Sequence, residues 1–102
     1  MTEVLYTVWY EVDASVESEW NSWMESTHVP EVVKTGGFLG AKRYRVVEGL
    51  LSKYATFYHA KDMKSLKSYL DGQAKELREE YRAKFGSKSK VTRVVLEEVP
   101  AT

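Results

Sequence analysis

Val4-Leu5-Tyr6-Thr7-Val8-Trp9-Tyr10-Glu11-Val12 is the stretch on which the architecture turns. Its β-branched and aromatic side chains suit a pleated surface, and the spacing predicts a strand over Val4–Val12. Successive strand residues point to opposite faces. Val4, Tyr6, Val8, Tyr10 and Val12 share one face, and Leu5, Thr7 and Trp9 share the other. A strand apolar on both sides is a strand covered on both sides.

Asp13 and Ser15 follow as N-cap candidates, with Glu17 and Glu19 where a helix N-terminus favours negative charge. Val16, Trp20, Trp23, Met24 and Val29 then form one apolar helical stripe. Pro30 ends or reshapes this helix, because the residue before a proline avoids the α region. Glu31–Thr35 adds one more turn, and Gly36-Gly37 stops it. Phe38–Val47 and Ser52–Ala60 read as two strands of an antiparallel hairpin around Glu48-Gly49. Asp62 caps a second helical region, with apolar residues at Leu66, Leu70, Ala74, Leu77, Tyr81 and Phe85. Gly72 breaks that region in two, Gly86 stops it, and Lys90–Val99 closes the domain as a fourth strand before Pro100.

The order β-α-β-β-α-β folds, with right-handed crossovers, into a ferredoxin-like α+β domain over residues 1–102. Its four-stranded antiparallel sheet carries both helices on one face. The other face, with Trp9 on it, then needs a partner, and a second copy packed sheet against sheet is the simplest one.

At 102 residues the chain holds one domain, and 43% hydrophobic with 29% charged residues is the balance of a soluble globular protein. Fifteen Lys+Arg cancel fifteen Asp+Glu, which argues against a nucleic-acid or membrane binder that works by net charge. The charge is nevertheless uneven: seven acids and one base in residues 1–40, against nine bases and five acids in residues 61–90. Differently charged solvated helix faces explain this, as does a dipolar surface that attracts a second copy. Without cysteine there is no disulfide, thiolate metal site or thiol nucleophile. The sequence shows no membrane-length apolar run and no secretory leader, so a cytoplasmic location is expected.

Several stretches together resemble the bacterial family called domain of unknown function 4286. They are Trp20-Asn21-Ser22-Trp23-Met24, His28-Val29-Pro30-Glu31-Val32, Thr35-Gly36-Gly37-Phe38, Tyr54-Ala55-Thr56-Phe57-Tyr58-His59-Ala60, Leu66–Leu70 and Arg93-Val94-Val95-Leu96-Glu97. The resemblance covers essentially the whole chain. It implies a homodimeric α+β barrel, two ferredoxin-like sheets facing each other, and it implies no particular activity. Trp23 followed by His28-Val29-Pro30 also resembles the aromatic and His-x-Pro pattern of EthD-like proteins and some cofactor-free isomerases and monooxygenases. In those proteins the histidine often borders a pocket between helices and sheet, a role that would fall here on His28.

His28 is the candidate catalytic residue, placed to move a proton near neutral pH; the alternative is a histidine serving the helix C-terminus. Tyr6, Trp9, Trp23, Tyr44, Tyr58 and His59 are the candidate substrate-binding residues, since aromatics with polar tips orient small oxygenated molecules. The same residues serve equally as core or interface, and His59 as a strand-end hydrogen-bonding group. Arg43 and Arg45 flank Tyr44 and would attract a carboxylate or phenolate if they faced a pocket rather than solvent. His28 and His59 have no further ligand at metal-binding spacing, so no metal is expected. No phosphate loop or nucleophile elbow is present, and nothing calls for a flavin, haem or nicotinamide cofactor.

Three functional classes follow. The first is a cofactor-independent pocket protein that binds or transforms a small aromatic or polyketide-like molecule. The second is a non-catalytic binding or assembly dimer. The third is an RNA-binding module, whose strand order and sheet aromatics this chain shares, though it lacks the net positive charge and the glycine of the aromatic RNA-binding strand. Whether the protein is an enzyme is not written in its sequence.

Overall fold

The computed structural model describes residues 2–101. It consists of β1 (Val4–Val12), a 3-10 turn (Ala14–Val16), α1 (Glu17–Trp23), a π turn (Met24–His28), α2 (Val29–Lys34), β2 (Phe38–Arg45), β3 (Tyr54–Ala60), α3 (Met63–Asp71), α4 (Ala74–Phe85) and β4 (Ser89–Glu97). The strands lie in the order β2-β3-β1-β4, all antiparallel. This is the α+β ferredoxin-like fold that the periodicities predict.

Pro30 reshapes the first helix and does not end it. In a regular α-helix its ring would meet the carbonyl four residues back, that of Ser26. The chain instead widens over Met24–His28, where the Val29 amide donates five residues back to the Met24 carbonyl, and α2 resumes beyond. Gly36 then takes φ of +95°, a conformation that favours glycine, and ends α2. Gly72 divides α3 from α4 as expected, and Asp62 caps α3 by accepting from the Ser65 amide.

The β2–β3 hairpin is shorter than the sequence suggests. Pairing stops at Arg45 and Tyr54, with one further bond from the Val46 amide to the Lys53 carbonyl. Val47, Leu50 and Leu51 are β-favouring or apolar, but they lie in an exposed loop. The Lys53 amide turns away to donate to Tyr10 of β1. β4 likewise ends at Glu97, leaving Val99 exposed.

The core lies between the helices and the face of β1 carrying Val4, Tyr6, Val8, Tyr10 and Val12, all of them buried. Its centre is Trp20, 0% exposed, with Tyr10 and Tyr54 packed around its ring at 5.1 and 5.0 Å. The Trp20 indole donates to the Tyr81 hydroxyl at 2.8 Å, which lies 2.8 Å from the Ser89 hydroxyl, which in turn donates to the Phe85 carbonyl at 3.0 Å. Since Ser89 spends its proton on Phe85, Tyr81 donates to Ser89, and every member of the chain is satisfied.

The opposite sheet face has no helix. Leu5, Trp9, Phe57, Tyr44, Val94 and Leu96 occupy it by strand parity and register. Tyr44 is 47%, Val94 39% and Leu96 42% exposed. Among the described residues no helix is long and apolar enough to cross a membrane.

Tyr81→Phe leaves the Trp20 N–H buried without its acceptor. A loss of about 1–3 kcal/mol in unfolding free energy is expected, read by urea denaturation against the native chain.

Candidate functional site

Between α2, α4 and the sheet lies a small cavity lined by Tyr6, Val8, Tyr10, His28, Val32, Tyr58, Tyr69, Leu77, Arg78, Tyr81 and Arg93. The space open to the centre of a water-sized sphere is about 20 Å³, room for one water. β1 and β3 supply the floor, because the register sets Tyr6 directly beside Tyr58. The π turn supplies His28, and α4 closes the cavity from the far side with Leu77, Arg78 and Tyr81.

Among the described residues three buried side-chain polar atoms have no hydrogen-bond partner: His28 Nδ1, Tyr58 Oη and Arg78 Nε. All three belong to residues lining this cavity. Buried polar groups are normally paired, and three orphans around one cavity mark a place built for something that bonds to them. Arg78 is held by its outer nitrogen, which donates to the Tyr6 hydroxyl at 3.3 Å.

Burial, helped by the nearby Arg93 guanidinium, pulls the His28 imidazole down to about 4. At neutral pH it is therefore uncharged, and burial resists its protonation. Burial pushes the phenols of Tyr58, Tyr69 and Tyr81 upward, so they remain hydrogen-bond donors. The site is a neutral base among protonated phenols, with two guanidiniums at its edge.

Of the seven candidate residues, His28, Tyr6 and Tyr58 meet in the cavity. Trp23 stands behind it, stacked on the His28 ring with centroids 5.0 Å apart and planes at 25°. Trp9 and Tyr44 do not join them: they lie on the open sheet face and line a separate apolar groove with Phe57, Leu50 and Val47. His59 is also on that face, its Nδ1 3.2 Å from a Glu3 carboxylate oxygen. Arg43 stays outside the cavity too, lying over the Trp20 ring and bonded to Asn21 Oδ1 at 2.5 Å. The arginines of the cavity are Arg78 and Arg93. Among the described residues no group of three metal-ligating side chains forms.

Residues 3–99 match the family model described as domain of unknown function DUF4286. No curated relative matches the chain. Among solved structures, an ethyl tert-butyl ether D (EthD) family protein from Bacillus halodurans superposes with a TM-score of 0.72 at 17% identity, covering 97% of this chain and 100% of that one. The haem-degrader MhuD of Mycobacterium tuberculosis, solved with two haems in its active site, gives 0.73 at 21% identity, covering 97% and 98%. A variant of SnoaB, a cofactor-independent oxygenase from Streptomyces nogalater, gives 0.70 at 15% identity, covering 98% and 95%. These likenesses carry the fold alone, the ferredoxin-like α+β arrangement of sheet and helices.

The lowered His28 value has a thermodynamic consequence. Between pH 6.5 and about 4 the unfolded chain binds a proton that the folded chain does not, so stability falls as pH drops through that window. The full effect is about 3 kcal/mol. His28→Gln should remove that part of the slope in unfolding titrations from pH 7 to 4; an unchanged slope would show that His28 titrates normally in the fold.

Proposed function

This chain belongs to the DUF4286 family, and we propose that it binds a small oxygenated aromatic or polyketide-like molecule in the His28 cavity, acting without a cofactor. The observation that carries this reading is the gathering of three unpartnered polar atoms, from His28, Tyr58 and Arg78, around one cavity. His28 is the proton-transfer group: neutral at physiological pH, buried, and oriented by the Trp23 ring. Tyr58 and Tyr6 bind the ligand's oxygens. The names of the solved neighbours, a haem-degrader and a cofactor-independent oxygenase among them, agree with small-molecule work on this scaffold.

The cavity as it stands is too small for an aromatic ring, so ligand entry requires α4 to move. That helix begins after the Gly72 break with no side-chain cap at its N-terminus, and movement of its first two turns, with Tyr81 still held by Trp20, would open the wall at Leu77 and Arg78. The working unit is a homodimer closed through the open sheet face, where Trp9, Phe57, Val94 and Leu96 otherwise meet water. A non-catalytic binding dimer uses the same cavity and differs only in leaving the ligand unchanged.

Nuclear magnetic resonance with a panel of small phenols tests the assignment. Shifts should gather on His28, Tyr58 and α4, and filling the cavity with Leu77→Trp should abolish them. Shifts confined to Trp9, Tyr44 and Phe57 would place ligand binding on the sheet face and overturn the cavity reading. Any turnover that His28→Gln preserves would remove the proton-transfer role. Light scattering should return about twice the 11.7 kDa chain mass.

A further inference from the structure

We infer that the ligand enters this cavity as an aromatic monoanion, its carboxylate held by Arg78 Nε and the Tyr58 hydroxyl. The inference rests on the small-molecule reading above and adds the charge and the contact atoms. Arg78 Nε can only donate a hydrogen bond. Tyr58 keeps its proton because burial disfavours the phenolate, so it can donate as well. Both atoms are buried and unpartnered at one cavity. Two donors without acceptors require acceptors from the ligand, and the two oxygens of a carboxylate supply that number.

The charges point the same way. Arg78 and Arg93 line the cavity, and among the described residues neither forms an ion pair with a carboxylate. The other titratable lining groups are His28, neutral at pH 7, and five tyrosines. Arg93 is solvated at the edge, whereas the half-buried Arg78 brings to the cavity a positive charge with no counter-charge, which a bound anion supplies. Arg78 is already oriented for this work, since its bond to Tyr6 fixes the guanidinium while leaving Nε free.

The walls suit an aromatic body. Tyr6 lies 5.7 Å from Tyr58 and 6.0 Å from Tyr69, centroid to centroid, and Leu77 and Val8 complete the apolar lining. A phosphate ester offers more charge and more oxygens than two buried donors match. Arg93, exposed at the edge, attracts the anion over distance and does not grip it.

The test is calorimetric titration at pH 7.5 with 1-hydroxy-2-naphthoate and salicylate, each beside its neutral carboxamide. The carboxylates should bind about 10–100-fold more tightly than the amides, the difference that charge-assisted hydrogen bonds make. Arg78→Gln should bring each pair to within roughly threefold by weakening the carboxylate alone. Tyr58→Phe should narrow the gap as well, and thermal melting checks that both variants fold. If Arg78→Gln does not fold, Arg78→Lys keeps the charge without the planar fork and should lose roughly tenfold on the carboxylate. Carboxylate and amide binding equally to the native protein would overturn the charge assignment while leaving the small-molecule cavity standing. If neither class binds, both readings fall.

Discussion

The bond from the Trp20 indole to the Tyr81 hydroxyl holds α1 to α4 within the helical layer. Trp20 comes from α1, Tyr81 from α4, and the relay runs on to Ser89 at the start of β4 and back to Phe85. Around the indole lie Tyr10 of β1, Tyr54 of β3 and Arg43 of β2. One side chain thus touches or bonds to every strand directly or through a single intermediary. The position of α4 over the cavity depends on this knot, because Tyr81 also forms part of the cavity wall. The π turn begins one turn beyond Trp20, so the placement of His28 is fixed from the same anchor.

Strand parity divides the molecule's aromatic residues between two tasks. Tyr6, Tyr10 and Tyr58 face the helices, where they enclose the His28 cavity. Trp9, Tyr44 and Phe57 face away, packed edge to face at 5.1–5.6 Å around Phe57. A single strand, β1, therefore lines the cavity on one side and the uncovered sheet face on the other. Thr7, 0% exposed on the uncovered face, joins the Trp9 indole to the Val94 carbonyl and stiffens that face.

Most of the architecture was legible because its signals are local: caps at Asp13 and Asp62, breaks at Gly36 and Gly72, and the alternation of β1. The loop after Arg45 was misjudged because Val46 and Val47 favour strands intrinsically, while their neighbours in space decide otherwise. At the site, His28 stood out by type and Tyr6 and Tyr58 by composition, but the faces of β2 and β3 depend on register. Once Tyr6 pairs with Tyr58, His59 pairs with Leu5 and must point the other way. Arg78 and Arg93 are legible as cavity residues only through their periodicity. Ala74, Arg78, Tyr81 and Phe85 follow one another at helical spacing, so the arginine shares the face of three buried residues. Arg93 alternates with Val91 and Val95 on the helix side of β4.

The stack of Trp23 on His28 makes the cavity optically self-reporting. An indole in van der Waals contact with imidazole emits normally beside the neutral ring and is quenched when that ring gains a proton. Trp20, sealed in the core with its N–H bonded, and Trp9, on the other sheet face, supply the background against which the change is read. Each protonation event at the buried base is thereby converted into light intensity without any added label.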